Sequence, residues 1–578
     1  MKLILIGCIA SSAAFCALPD DEAIARRVYA HLLIHDPSSA VIEARHGLSK
    51  YPDSKDLQRS LLRALCENGE EMRALQEWEK GFAALKADTN QRSALETLAW
   101  GVLLKSENSP QLFIRITALL GAAFTQDAKA VSLLVNHMRD SNSLLRIISI
   151  RLAASFGDAP LQDELARLLK EEKIWYVRLE IIKAIGQLRM TTLKNALKEI
   201  VGNPKTIVEE KVVAIFALVG MYDTIDVSEL NALLSSPRAG LRQLGCDLVT
   251  NLELKDRIGD VLVLLRDSSP DVRMAALNAV GLLGVDRHDG KPMMDFVAPK
   301  LEDRSPEVSI TASYVAMLLK DKRGEETLKT WLRCPNAEWR RLASAALAVT
   351  GKQGIALAWG EMVHATDPYV KVNLALGLIG QRQYIREACE SIDAVLLSEK
   401  DKLWMWDAHV NPLFRCLAPS RMKHNEQIPH YPMVADRLVR LELLSVLSVM
   451  RYAQAQVAVK EFLQHPFWGI AGAAAANLLE EGDEEAMQCV RNLLSDPEEK
   501  IRVQAALILA MLGGDPAAIK VLQEAYPQVD RETKIYILEA LARVGDPSSV
   551  PFLMEILKEP FQILRVVAAS ALIQCLHH

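Results

Sequence analysis

From about residue 95 onward, hydrophobic positions recur at helical spacing, in segments that come in pairs. The first member of a pair is amphipathic, as in DRIGDVLVLLRD at 256–267 or SSVPFLMEILKE at 548–559. The second is rich in Ala, Leu and Val, as in RLASAALAVTG at 341–351. A short turn separates them, usually with a proline: Pro204, Pro237, Pro270, Pro306, Pro335, Pro368, Pro466, Pro497 or Pro560. Proline cannot continue a helix from within but suits the start of the next one. The second segment commonly ends in glycine, at 121, 157, 186, 220, 284, 351, 380, 482 and 545. Glycine there tolerates a left-handed cap. The pattern predicts an array of helical hairpins.

One position gives the array its period. A basic residue opens each second helix as Arg115, Arg146, Arg178, Lys211, Arg242 and Arg273, at spacings of 31, 32, 33, 31 and 31. It is replaced at Ser309, returns as Arg341 and Lys371, and resumes at Arg440. After a gap at Ile470 it continues as Arg502, Lys534 and Arg565. A single helix pair cannot bury its own apolar face, so stacked neighbours must do it. Small residues on the second helix let layers approach closely. The basic side chain is expected to reach turn carbonyls or the Asp beside the turn, groups that helix ends leave orphaned. The other reading of the column is a ligand-binding stripe.

The segments SSPDVRMAALNAVGLLG at 268–284 and SDPEEKIRVQAALILAMLGG at 495–514 resemble HEAT repeats, in particular the PBS-lyase HEAT-like repeats of bacteria. The resemblance covers roughly residues 95 to 578 as about fourteen units. It implies an all-α fold, an alpha-alpha superhelix, and says almost nothing of function. Residues 21–85 are similar instead to tetratricopeptide repeats. Ala40 and Ala74 lie 34 apart, Pro52 falls at the terminal-proline position and Trp78 at a bulky one. The expected organisation is a leader at 1–17, TPR-like hairpins at 21–85 and HEAT repeats at 95–382. A degenerate repeat at 383–438 and further HEAT repeats at 439–578 complete it.

Composition narrows the class. The chain has 578 residues, half of them hydrophobic but only 6% aromatic, so its core is aliphatic and suits helical packing. A net charge of −6 argues against a nucleic-acid partner. The start, MKLILIGCIASSAAFCALPDDE, places one Lys before an apolar run and small residues, the form of a secretory signal peptide. Cleavage after Ala14, Cys16 or Ala17 would leave a chain in the periplasm or cell envelope, or secreted. Lipidation at Cys16 is disfavoured by Phe15, where a small residue is wanted. The nine cysteines have no disulfide-framework or zinc spacing. Cys246 and Cys575 read as buried small apolar residues.

The period breaks once, between Lys371 and Arg440, 69 residues apart. Inside lies LWMWDAHVNPLFRCLAPSRMKHNEQIPHYP at 403–432, an irregular insertion with two tryptophans, three histidines and four prolines. Such insertions often carry a solenoid's binding specificity, which makes Trp404, Trp406, His409, His424, His430 and Tyr431 the candidate partner-binding residues. In the competing reading the two tryptophans only pack over the neighbouring layer. The histidines lack metal-site spacing, and no catalytic residue, cofactor or metal is expected. The leading functional reading is a non-catalytic scaffold that binds a protein partner. The alternative is a PBS-lyase-like enzyme or a chromophore- or ligand-handling accessory. Iron-dependent hydroxylases built on HEAT repeats use His-Glu pairs, and the chain has no His-Glu dipeptide.

Overall fold

The computed structural model describes residues 20–81, 89–399, 402–407, 411–420, 436, 439, 440, 442–444, 446, 447, 450 and 490–577. The leader at 1–17 lies outside the described residues, as does most of 421–489. The architecture is an all-α solenoid with HEAT-type stacking. It divides into two compact units, one drawn from 1–133 and 513–578, the other from 134–512.

In the second unit, each second helix packs on the next. The series runs Ser143–Phe156, Trp175–Gln187, Val208–Met221, Ala239–Asn251, Pro270–Leu283, Pro306–Leu318, Ala337–Ala348 and Pro368–Gly380. The first helices, such as Ala159–Glu171 and Lys322–Leu332, lean on this layer with one apolar face. Close approach comes from small residues. A Cβ on Gly186 would lie 2.7 Å from Ala217 Cβ, and one on Gly377 only 2.5 Å from Ala348 Cα.

The basic column closes one layer onto the next. Arg273 donates to the carbonyls of Asp267 and Ser268 in its own turn, at 2.9 and 3.2 Å, and to both carboxylate oxygens of Asp303 in the following turn, at 2.9 and 2.8 Å. Arg242 does the same with Ser236 O and Asp267. Arg146 and Arg178 bind their own turns and then Glu172 and Glu210. At the next basic position the work is split, Arg340 taking the turn carbonyls and Arg341 taking Asp367. Where serine replaces the arginine, Ser309 Oγ donates to Leu301 O and accepts from the Trp331 indole. At Arg146, Arg178, Arg242, Arg273, Ser309 and Arg341 the column is thus structural. The bonds to turn carbonyls satisfy groups that the end of a helix leaves without a partner.

The glycine rule needs a correction. Gly157, Gly284, Gly351 and Gly545 take positive φ, as a left-handed cap requires. Gly186 and Gly380 lie within their helices, and Arg189 and Arg382 take the left-handed turn instead, with φ of 49° and 55°. At Gly186 the close contact with Ala217 is what demands glycine.

The first unit joins the two ends of the sequence. Helices Asp20–Leu33, Pro37–Lys50, Lys55–Glu67 and Glu71–Gly81 lead to Thr89–Glu107 and Leu112–Phe124. Ala40, Ala74 and Trp78 are buried among them. The last helix, Gln562–His577, packs on both Thr89–Glu107 and Leu112–Phe124. Ser570 Oγ donates to Gly121 O at 2.9 Å, Gln562 donates to Ser106 at 3.2 Å, and Lys558 pairs with Glu79.

Among the described residues, two short antiparallel ladders depart from the all-helical expectation. Arg287–His288 pairs with Lys291–Pro292 around Asp289-Gly290, whose positive φ values of 48° and 76° fit a tight hairpin turn. The other lies in the insertion, where Trp404–Asp407 pairs with Cys416–Pro419.

Candidate functional site

The insertion hairpin lies on the second-helix layer. Trp404, Phe414 and Leu417 are fully buried in the same apolar cluster as the four helices from Pro270–Leu283 to Pro368–Gly380. The Phe414 ring meets Tyr314 edge-on at 5.1 Å, and Trp404 lies 5.6 Å from Tyr369. Helix side chains also grip the hairpin's polar groups. Asn373 Oδ1 accepts from Leu417 N at 2.9 Å, and its amide nitrogen lies 3.5 Å from Leu417 O. The Asn411 amide donates to Asn278 and Thr311, at 3.2 and 3.1 Å. At the hairpin base, Arg440 pairs with Asp436, donates to Glu399 O and Lys402 O, and stands 4.8 Å over Trp404.

These facts locate the sequence-derived candidates. Trp404 is enclosed, and Trp406 is half-buried, with its indole N–H donating to Glu442 at 2.9 Å and Arg415 stacked 4.2 Å over its ring. His409, His424, His430 and Tyr431 lie outside the described residues. The burial of the two tryptophans agrees with packing over the neighbouring layer.

Among the described residues, the equivalent face is exposed on three second helices earlier in the series. On Ser143–Phe156, Trp175–Gln187 and Val208–Met221, large apolar side chains stand in solvent: Leu144, Trp175 at 52%, Tyr176, Val208 at 70%, Val212 and Phe216 at 60% exposure. Isolated exposed hydrophobics are ordinary, but a run along three adjoining helices marks an interaction surface. Charge is concentrated in its middle. Arg151 and Lys183 donate to the two oxygens of Glu180, at 2.7 and 2.8 Å. Burial pushes the Glu180 carboxyl up, but these two bonds outweigh it and hold it below the ordinary carboxylate range. Both cations remain largely exposed around one nearly buried anion.

The sequence carries a partial signal for this face. Two residues before the basic position, Leu144 and Tyr176 stand where Glu209, Asp271, Glu307 and Glu532 occur in other repeats.

On the adjoining helix Ala239–Asn251, burial pushes the Asp247 carboxyl up to about 7. Unfolded Asp titrates near ~3.9. The folded chain therefore holds a proton that the unfolded chain has already lost. The resulting stability is fully present below about pH 4 and is lost as the pH rises through 7. Asp247→Asn is expected to raise the urea midpoint at pH 8, a gain of about 1–3 kcal/mol, and to leave it nearly unchanged at pH 4. Equal shifts at both pH values would refute the assignment.

Another concavity, about 550 Å³, lies in the first unit between Phe113 and residues Arg531, Glu532, Ile535, Tyr536 and Glu539. Tyr536 donates to Glu532 there at 2.8 Å, Arg531 stands 4.2 Å over Phe561, and burial pushes the Glu539 carboxyl up. Cys66, Cys416 and Cys575 have thiols pushed up to about 12 by burial, which makes them unreactive packing groups. No helix among the described residues is long and apolar enough to cross a membrane.

A family model described as HEAT repeats matches residues 455–533 and 492–573. No curated protein matches the chain. Among solved structures, the karyopherin Kap121p bound to the SUMO protease Ulp1p aligns over 96% of this chain and 86% of its own, at 11% identity and a TM-score of 0.30. Human deoxyhypusine hydroxylase in complex with glycerol aligns over 44% of this chain and 97% of its own, at 16% identity and a TM-score of 0.21. The complex of CpcE and CpcF of phycocyanin lyase from Nostoc sp. PCC7120 gives 55% and 98% coverage, at 16% identity and a TM-score of 0.21. At these values the likenesses concern the fold alone.

Proposed function

We propose that this chain is a non-catalytic scaffold, exported to the periplasm or cell envelope, that binds a protein partner on the uncovered second-helix face of residues 143–221. The observation that carries this reading is the run of exposed Leu144, Trp175, Tyr176, Val208, Val212 and Phe216 on three adjoining helices. Burying such side chains against a partner gains roughly 1.5–3 kcal/mol each before the costs of association. Export rests on the apolar start of the sequence, and the scaffold role on that exposed apolar run.

The test is capture from envelope fractions with a photo-crosslinker at position 212, comparing the natural sequence with a Trp175→Ser/Phe216→Ser double variant. Crosslinked polypeptides are expected to fall at least about 10-fold in the variant, with its thermal midpoint unchanged. An unchanged yield overturns the reading. A reporter fused to residues 1–25 that stays in the cytoplasm overturns the compartment.

A further inference from the structure

The concavity of the first unit is a recess between two second helices that both pack on Gln562–His577. Helix Arg531–Val544 lines it with Glu532, Ile535, Tyr536 and Glu539, at the three- and four-residue spacing that puts side chains on one face. Helix Leu112–Phe124 supplies Phe113 from the other side, a ring 63% exposed. The recess measures about 550 Å³, a size typical of small-molecule sites. Its charges are unevenly placed. Arg531 and Glu532 stand at one end with opposite signs, and Arg531 is stacked on Phe561. Glu539 lies two turns further on, about 10 Å along the helix axis. Among the described residues it has neither a hydrogen-bond donor nor a paired cation. Lys534 stands 4.8 Å over the Tyr526 ring, and Arg543, four residues on, forms no ion pair with Glu539. Glu539 is open to solvent at the mouth of the recess, yet the protein around it pushes its carboxyl up with no opposing partner.

We propose that this recess binds a small aromatic amine, with its ammonium on the Glu539 carboxylate and its ring against Phe113, Ile535 and the Tyr536 ring. An ammonium brings the donors that this carboxylate lacks, and the surrounding protein makes their ion pair stronger than in open water. The faces of the aromatic walls attract the same charge. A neutral body of the same shape gains only the apolar contact, and an anion would meet two carboxylates, Glu532 and Glu539. The site is separate from the face on residues 143–221, and the proposal is independent of the scaffold reading.

The probe is para-fluorophenethylamine, protonated at neutral pH, titrated with the full chain and read by its fluorine NMR line width. Saturable binding is expected, weakened at least about 10-fold by Glu539→Gln and at least about 5-fold by Phe113→Ser. The neutral isostere para-fluorophenethyl alcohol is expected to bind at least about 10-fold more weakly than the amine and to be indifferent to Glu539→Gln. Both variants alter exposed side chains, and unchanged thermal midpoints verify that they fold. Trp175→Ser/Phe216→Ser should leave the affinity for the amine unchanged. Absence of saturable binding, equal binding of amine and alcohol, or an amine affinity that ignores Glu539→Gln overturns the proposal. Displacement of the probe by an equal concentration of Nα-acetyl-lysine methylamide also overturns it, because the recess would then read an ammonium without the aromatic body.

Discussion

Trp404→Ala is expected to lower the unfolding free energy of residues 134–512 by about 3–5 kcal/mol, read as a lower urea midpoint. The indole is fully buried between Tyr369 and the Arg440 guanidinium, so truncation removes a large apolar surface and leaves a cavity. The backbone around it is pinned by Asp436, which accepts from Trp404 N at 2.8 Å. Loosening that anchor frees the hairpin and exposes Tyr314 and Leu417 as well. Trp404→Phe keeps most of the volume and is expected to cost about 1.5 kcal/mol or less, plus the stacking with Arg440. A loss below 1 kcal/mol for the alanine variant would show that the hairpin is an appendage, contrary to its place in the core.

The second large effect concerns the basic column. Arg273→Ala is expected to cost about 3 kcal/mol, because it takes the bidentate partner from the nearly buried Asp303 carboxylate, leaving it Lys300 at 3.4 Å and the Ser305 N–H, and removes the donor to two turn carbonyls. Replacing both partners, as Arg273→Met/Asp303→Leu, is expected to recover part of that loss, since the nearly buried carboxylate is then gone and only the more exposed Lys300 loses a partner. The pH dependence gives a second check. Burial pushes the Asp303 carboxyl up, but Arg273 and the Ser305 N–H outweigh it and hold the carboxyl below the ordinary range. A depressed folded-state value contributes stability that is present above the unfolded value near ~3.9 and is lost as the pH falls through the folded one. Arg273→Ala should therefore flatten part of the decline in midpoint between pH 5 and pH 2. An undiminished acid slope would mean that other carboxylates carry it.

The two effects draw on different kinds of information. The arginine's role was legible from spacing, because its partners are its own turn and the turn one repeat later. The tryptophan's role was not, because its neighbours Tyr369 and Arg440 are separated from it by 35 and 36 residues and obey no repeat rule. The same limit explains the functional face. Leu144, Trp175 and Phe216 could be placed on second helices by counting, yet apolar residues at those columns are buried in one stretch and bare in another. Tyr369 is enclosed, while Tyr176 at the same column stands in solvent.

The sequence by itself determined the helical hairpins, their period, the turns where proline enters and the basic residue that ties each turn to the next. All of these follow from local geometry and from contacts one repeat away, which repetition writes into the chain many times over. The tertiary structure alone decided that residues 402–407 and 411–420 fold down onto four second helices, that the described residues leave apolar side chains exposed on three earlier helices, and that the last helix packs beside Gly121. Such contacts form once, between segments remote in sequence. Their energy comes from shape and desolvation at the meeting surfaces, and no periodic pattern records it.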